Sequence, residues 1–444
     1  MEVVSTLQAT SVRGSAQAPA SGKVCVIDTV DGFASLRDAW DRLVSDGRES
    51  PIFLCHGWFD AAWRWHAKSA SLHILAYFEG TELKAILPLV RQTWRIGTQR
   101  IRALEFLSVP DAQHCDVVVA HASRAVAARA FVEELAARHR EWDVLRLGYL
   151  HDDSVASTEL RSEFGGRGFR SAVCATNPNP FVCLDSTWSC YYDTRTRRLK
   201  KASNLAANRV ARAGPVRIEW LSPGSGNAED VDRVIKTIVG ISARSWKAKT
   251  GNSLDQSGPQ QLIRRLSAAA HERGWLSVWI LYLRDLPVAM EYQLVAEGNV
   301  YALRSDFDAR YQEISPGSHL NRVALEQLFG QGLKRYYMGP GANAYKYRWC
   351  DQAISMHKLE VFSHSIWGRL LASWETGVKP VAKRIRDALV RGARRTEKSS
   401  FRSGNGISRR TVMRSAGTTD WAAPGTRAPL LQDPGSEENT SGQE

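Results

Sequence analysis

The chain has 444 residues, long for one domain and natural for two, and carries a formal charge of +13. Its 43% hydrophobic content and 15 tryptophans supply buried cores and exclude a largely disordered chain. Seven cysteines, an odd number with no C-x-x-C pair, argue against a zinc or disulfide framework and fit a reducing compartment, and no uncharged apolar run is long enough to span a bilayer.

Residues 1–22 are rich in Ser, Ala, Gln and Thr, lack the basic-then-apolar pattern of a signal peptide, and are expected to be disordered. "LHILAYFEGTELKAILPLV", from Leu72, reads as two apolar strands around a short charged turn. A helix is expected over 123–140 and a strand over 142–150. The same order returns in the second half. There "LSVWILYLRDLPVAMEYQLV" from Leu276 is a hairpin, 316–332 a helix, and "KRYYMGP" from Lys334 a strand. Four elements in a shared order predict two copies of one α+β domain, against the competing reading that hairpins recur by chance.

Between the copies, residues 194–214 hold seven Lys/Arg and no acid, a helix that either binds an anion or is simply solvated. From Lys379 to Arg414 there are 12 Lys/Arg against 2 Asp/Glu, so most of the net charge belongs to the C-terminal tail. There Val378, Val381, Ile385 and Leu389 share one face of an amphipathic basic helix, which suits an anionic membrane surface or a solubilising tail. The Ser/Gly/Thr/Arg-rich end, 395–444, is expected to be disordered.

The candidate site lies in the second copy. Ser315 is an N-cap residue, Pro316 suits the first helical position, and no Glu or Gln closes a capping box. The amides of Gly317, Ser318 and His319 are therefore expected to be open to an anion such as pyrophosphate, unless this is an ordinary capped helix. After the next strand comes Tyr345-Lys346-Tyr347-Arg348-Trp349. Lys346 suits a phosphate, and Tyr345, Tyr347 or Trp349 a flat ring; core packing and solvation are the alternatives. Glu291, Asp306, Asp308 and His319 are candidate proton acceptors, and no nucleophile constellation or metal set appears.

The Ser-Pro-Gly helix start followed by Tyr-Lys-x-x-Trp resembles the GNAT-type acyltransferases of the CelD-like class, relatives of the Fem-type aminoacyltransferases. "SPIFLCHGWFDAAWRWHA" (50–67), "SARSWKAKTGNS" (242–253) and Leu286-Pro287-Val288-Ala289 are similar to that family's elements, in order, over roughly 24–365. The resemblance implies two tandem GNAT-like domains, each a mixed, mostly antiparallel sheet flanked by helices. It divides the chain at 23–185 and 186–365, with a basic segment at 366–394. It implies an acyl group, acetyl first, passing from acyl-CoA to an amine or hydroxyl of a small molecule or glycan, in cytoplasmic polysaccharide or envelope synthesis. The inner membrane face is a further contact, and no metal is needed. Ser315, Gly317, Ser318, His319, Tyr345, Lys346 and Trp349 would hold the CoA, and Trp246 and Lys247 would line the acceptor groove. Glu291, Asp306 and His319 would be catalytic. One departure is that Gln312 to Gly317 contains a single glycine where the usual phosphate loop has two. Aminoacyl-tRNA as donor, and a scaffold that no longer turns over, are the competing readings.

Overall fold

The computed structural model describes residues 22–45, 51–341, 343–350 and 352–378. The expectations for 1–21 and 379–444 fall outside the described residues. The first half runs β1 (Lys23–Ile27), α1 (Val30–Ser35), α2 (Arg37–Ser45), α3 (Pro51–Leu54), α4 (His56–His66), β2 (Ser71–Glu79), β3 (Glu82–Ile96), β4 (Gln99–Phe106), β5 (Val118–Val119), α5 (Arg124–Ala137), β6 (Val144–Leu150), α6 (Arg161–Gly166) and β7 (Arg170–Ala175). The second runs β8 (Asn179–Cys183), α7 (Trp188–Asp193), α8 (Arg197–Ala213), β9 (Val216–Leu221), α9 (Ala228–Ala243), α10 (Ser257–Glu272), β10 (Leu276–Leu283), β11 (Leu286–Ala296), β12 (Asn299–Phe307), α11 (Pro316–Leu328), β13 (Arg335–Tyr337), α12 (Lys346–Trp349), β14 (Gln352–Ile354), β15 (His357–Phe362) and α13 (Ile366–Ser373).

These strands form two sheets of one design. The first is ordered β1-β2-β3-β4-β6-β15-β7 with β5 beside β3, the second β14-β8-β13-β12-β11-β10-β9. In each, a four-strand antiparallel meander meets one parallel neighbour, β4 with β6 and β12 with β13, reached through a helix. Two further antiparallel strands complete it. The fold is thus α+β in two tandem, mostly antiparallel copies. Relative to a division at 185/186 the copies exchange a strand: β8 at 179–183 lies in the second sheet and β15 at 357–362 in the first. Such a division leaves each sheet with strands from both sides of it.

The β10–β11 turn shows how locally the hairpins are specified. Arg284 and Asp285 both have positive φ, 50° and 64°, the hand that matches the twist of paired strands. All eight residues of β10 are buried, as a strand covered on both faces requires. One core joins the halves: Trp40, Phe53, Trp58 and Phe59 share it with Ile280, Tyr292 and Tyr301. The rings of Phe53 and Tyr301 meet edge-on at 5.1 Å. α9 opens with a capping box, Asn227 and Asp230, and buries Val231, Val234, Ile235, Ile238 and Ile241 on one stripe.

Candidate active site

The site begins where two parallel strands part. β12 and β13 pair only over Asn299–Tyr301 and Arg335–Tyr337. Beyond this, β12 stays on β11 as far as Phe307, while the chain after β13 follows the run into β8. There Met338 N–H donates to Pro180 O at 2.9 Å and Gly341 N–H to Pro178 O at 3.3 Å. The freed edge of β12 is met by side chains: Gln113 Nε2 donates to Ala302 O at 2.8 Å and Lys247 Nζ to Ser305 O at 3.3 Å. Gly339 sits in the fork with φ +80°, and a Cβ there would lie 3.4 Å from Ala302 O and 3.8 Å from Lys346 Nζ. Only glycine takes that backbone without strain.

At the end of β12, α11 starts differently from expectation. Ser315 is left-handed (φ 57°, ψ 52°) and its hydroxyl caps nothing. It instead ends the tight turn before it, its N–H donating to Gln312 O at 3.1 Å. His319 N–H donates to Ser315 O at 3.2 Å. Of the three amides expected to be open, those of Gly317 and Ser318 find no protein acceptor among the described residues. Gly317 lies against Phe307, with room for little more: a Cβ would be 3.1 Å from the ring.

The Tyr-Lys-Tyr-Arg-Trp stretch folds as the single turn α12. Lys346 is only 6% exposed, and its ammonium donates to Gly339 O at 2.8 Å and Pro340 O at 3.3 Å. Burial, with Lys247 nearby, pulls this amine down to about 8. Tyr345 keeps 46% of its surface exposed, yet burial of its phenol, with Glu291, Cys350 and Asp306 close, pushes it up to about 12. Trp349 is buried in the aromatic cluster of Trp188, Tyr191 and Phe329, and its carbonyl accepts from Tyr191 Oη at 2.6 Å and Arg195 Nη1 at 2.9 Å. It is core, leaving Tyr345 and the exposed Tyr347 as the open rings. Trp246 is exposed, and Lys247 turns inward, Nζ 2.6 Å from Asp306 Oδ1.

The structure gathers Glu291, Asp306, Lys247, Tyr345 and Lys346 into one neighbourhood around the fork. The acids there are enclosed. Glu291 Oε1 accepts from Gln293 Nε2 at 2.8 Å and from the Tyr336 hydroxyl, and its Oε2 from Asn321 Nδ2 at 3.1 Å. Burial raises its carboxyl, and the three donors only partly offset that. Asp306 is held by Lys247 and by the Ser242 hydroxyl at 2.7 Å. Asp308 would be raised by burial, but Arg310 and Arg244 hold it at about 2, an anion at neutral pH. His319 differs: burial, then Arg322, lowers its imidazole, and Nδ1 is buried without a hydrogen-bond partner among the described residues. A neutral imidazole beside two open amides can accept a proton.

Sequence reasoning missed Asn321, Tyr336, Gln293 and Ser242, the groups that hold the acids. Asn321 was detectable: it interrupts the inward stripe of Leu320, Ala324, Leu325 and Leu328 on α11.

Residues 197–347, from α8 through the start of α12, match the family model of the acetyltransferase (GNAT) domain. That stretch is similar to a GNAT-type acetyltransferase domain. No curated protein sequence matches significantly. Similar solved structures include FemX (11% identity, 72% of this chain and 95% of that chain, TM-score 0.45). Two others are a tandem GNAT protein from the clavulanic acid biosynthesis pathway (11%, 78% and 99%, 0.42) and L-PGS from Bacillus licheniformis (13%, 73% and 96%, 0.41). The matched GNAT domain contains the fork, the α11 start and Lys346 together.

Proposed function

We propose that the protein moves an acyl group, acetyl in the first instance, from acyl-CoA to an amine or hydroxyl of a small-molecule or glycan acceptor in polysaccharide or envelope synthesis. The supporting observation is the fork between β12 and β13, which opens the GNAT domain's sheet beside the two open amides of α11 and the buried Lys346. In this reading the pyrophosphate meets the amides of Gly317 and Ser318, and Lys346 supplies a charge that a phosphate would strengthen. Tyr345 or Tyr347 stacks on the adenine. His319 takes the proton as the acceptor attacks the thioester carbonyl, the tetrahedral intermediate collapses, and the thiolate leaves as CoA. Trp246 lines the acceptor side. Lys247, Asp306 and Glu291 position the fork. The reaction is cytoplasmic, with the basic C-terminal segment facing the inner membrane.

The test is thermal unfolding with acetyl-CoA, a long-chain acyl-CoA and free CoA, on the wild type and on Ser318→Asp, which adds an anion at an exposed position of the first turn. A ligand at about 100 times its dissociation constant adds roughly 2.7 kcal/mol. A CoA-dependent rise that Ser318→Asp abolishes supports the reading; no rise with any CoA species removes it. A second reading, aminoacyl-tRNA as donor, is favoured by the basic α8, whose Arg209 Nη1 donates to Glu313 O at 3.0 Å just before α11. It requires tRNA binding that falls steeply with salt.

A further inference from the structure

α13 buries one side and leaves the other bare. Gly368 lies so tightly against Ser363 and Asp143 that a Cβ would come within 2.9 Å of the Asp143 carbonyl. Ala372, Trp367 and Leu371 pack on Ile101, Ala103, Val144 and Phe362. On the outer side Ile366, Leu370 and Trp374 are 77%, 53% and 54% exposed. A spacing of four sets them in one line along the helix. A row of three large apolar side chains on the surface marks an interaction face. The exposed Arg369 lies beside it. The sequence then runs into seven Lys/Arg and one Asp over 379–395.

That combination selects among occupants. A soluble polyanion would engage the cations and leave the apolar line in water. A second copy docked on the same face would bring two cationic runs together. An anionic bilayer satisfies both features: apolar side chains enter the acyl boundary, Trp favours the headgroup interface, and the cations meet anionic headgroups. We infer that Ile366, Leu370 and Trp374 insert into the surface of an anionic membrane, for which the positive charge of the sequence that follows them gives a preference. This rests on the reading of the C-terminal segment as membrane-facing, and assigns its insertion face.

The full chain is sedimented with vesicles of pure phosphatidylcholine, and of phosphatidylcholine with about a third phosphatidylglycerol, at roughly 0.1 M salt. The wild type is expected to pellet with the anionic vesicles only. Ile366→Ser/Leu370→Ser/Trp374→Ser should partition about tenfold more weakly with an unchanged thermal midpoint. If the triple variant pellets like the wild type, the cations act alone and the insertion face is wrong, while membrane association stands. If the wild type does not pellet at all, both readings fall. Vesicle-free dimerisation that the triple variant abolishes would assign the face to a second copy and overturn the proposal.

Discussion

Replacing Lys346 with Met removes a buried ammonium and keeps a side chain of similar length. The amine titrates at about 8 in the folded chain against 10.5 for an ordinary lysine, so burying it costs about 3 kcal/mol when it is fully protonated. The folded-state value is the lower one. Between about pH 8 and 10.5 the unfolded chain therefore binds more protons, and this residue makes stability rise with pH across that window. Below the window the full cost is present. Lys346→Met removes the cost but leaves the Gly339 and Pro340 carbonyls without their donor, a penalty of about 1–3 kcal/mol. The two terms nearly cancel near neutral pH, so the midpoint at one pH is uninformative and the slope is the readout. Urea unfolding of both proteins across the window should show the wild type gaining on the variant as pH rises. A flat difference refutes the burial argument. The same amine reports on function. A phosphate beside it raises its pKa, so CoA binding at about pH 8 should take up roughly half a proton, seen by calorimetry in buffers of different ionisation enthalpy. No uptake would remove Lys346 from the phosphate site.

Glu291→Ala takes their shared acceptor from the Tyr336 hydroxyl, Gln293 and Asn321 and opens a cavity, and should cost about 3 kcal/mol in urea unfolding. A loss below about 1 kcal/mol would mean the network relaxes freely. Asp308 has its folded value depressed, so its contribution is present above the ordinary 3.8 and is lost as pH falls toward about 2. Discounted for the exposed Arg310, it is about 1 kcal/mol, and Asp308→Asn should flatten that part of the acid-unfolding profile. An unchanged profile refutes the clamp. Gly339→Ala should cost about 1–2 kcal/mol from its positive φ and weaken acyl-CoA binding. Gly80→Ala, with φ +62° and nothing within 4 Å, is the control that carries the backbone cost alone. Equal ligand affinity in the two variants would dissociate the fork from the donor site.

The parts legible in the sequence were those set by local chemistry. Both hairpins and the helix after each meander, the second of them starting at Pro316, follow from alternation, turn residues and apolar spacing. Glu291 stood out because a carboxylate broke an apolar strand, but alternation alone left its face open; its donors, from β13, α11 and β11, decide it. Lys346 was noticed for its charge, whereas its inward course depends on two carbonyls presented by a loop in which Gly339 and Gly341 have φ of 80° and 146°. Ser315 looked like a cap because Ser-Pro-Gly usually is one. The turn before it, which ends left-handed at Ser315, overrides that preference. Pairings of β8 and β15 carry no local signal, since each strand is short and its partners are distant in the chain.

The strand exchange has a consequence for how the two copies can exist apart. β15 lies between β6 and β7, so a piece ending at 185 leaves both with an open edge. It also loses Glu360, 1% exposed and paired with Arg146 at 2.8 Å. The entry of β15 is further fixed by His357, whose Nε2 lies 2.6 Å from Ser157 Oγ and whose Nδ1 lies 3.3 Å from Asp152. The Ser157 hydroxyl is bound in turn to the His151 carbonyl at 3.1 Å. The second sheet has the reciprocal debt, because β8 comes from before the cut and carries both β13 and β14. Since β13 is one wall of the fork, the candidate site needs residues from both sides of 185. The fragments 22–185 and 186–378 should each lack a cooperative thermal transition, and mixing them should not restore acyl-CoA binding, because β8 and β15 would have to cross between separate chains. A cooperative transition in fragment 22–185 alone would refute this, and would mean that β6 and β7 can close the first sheet without β15.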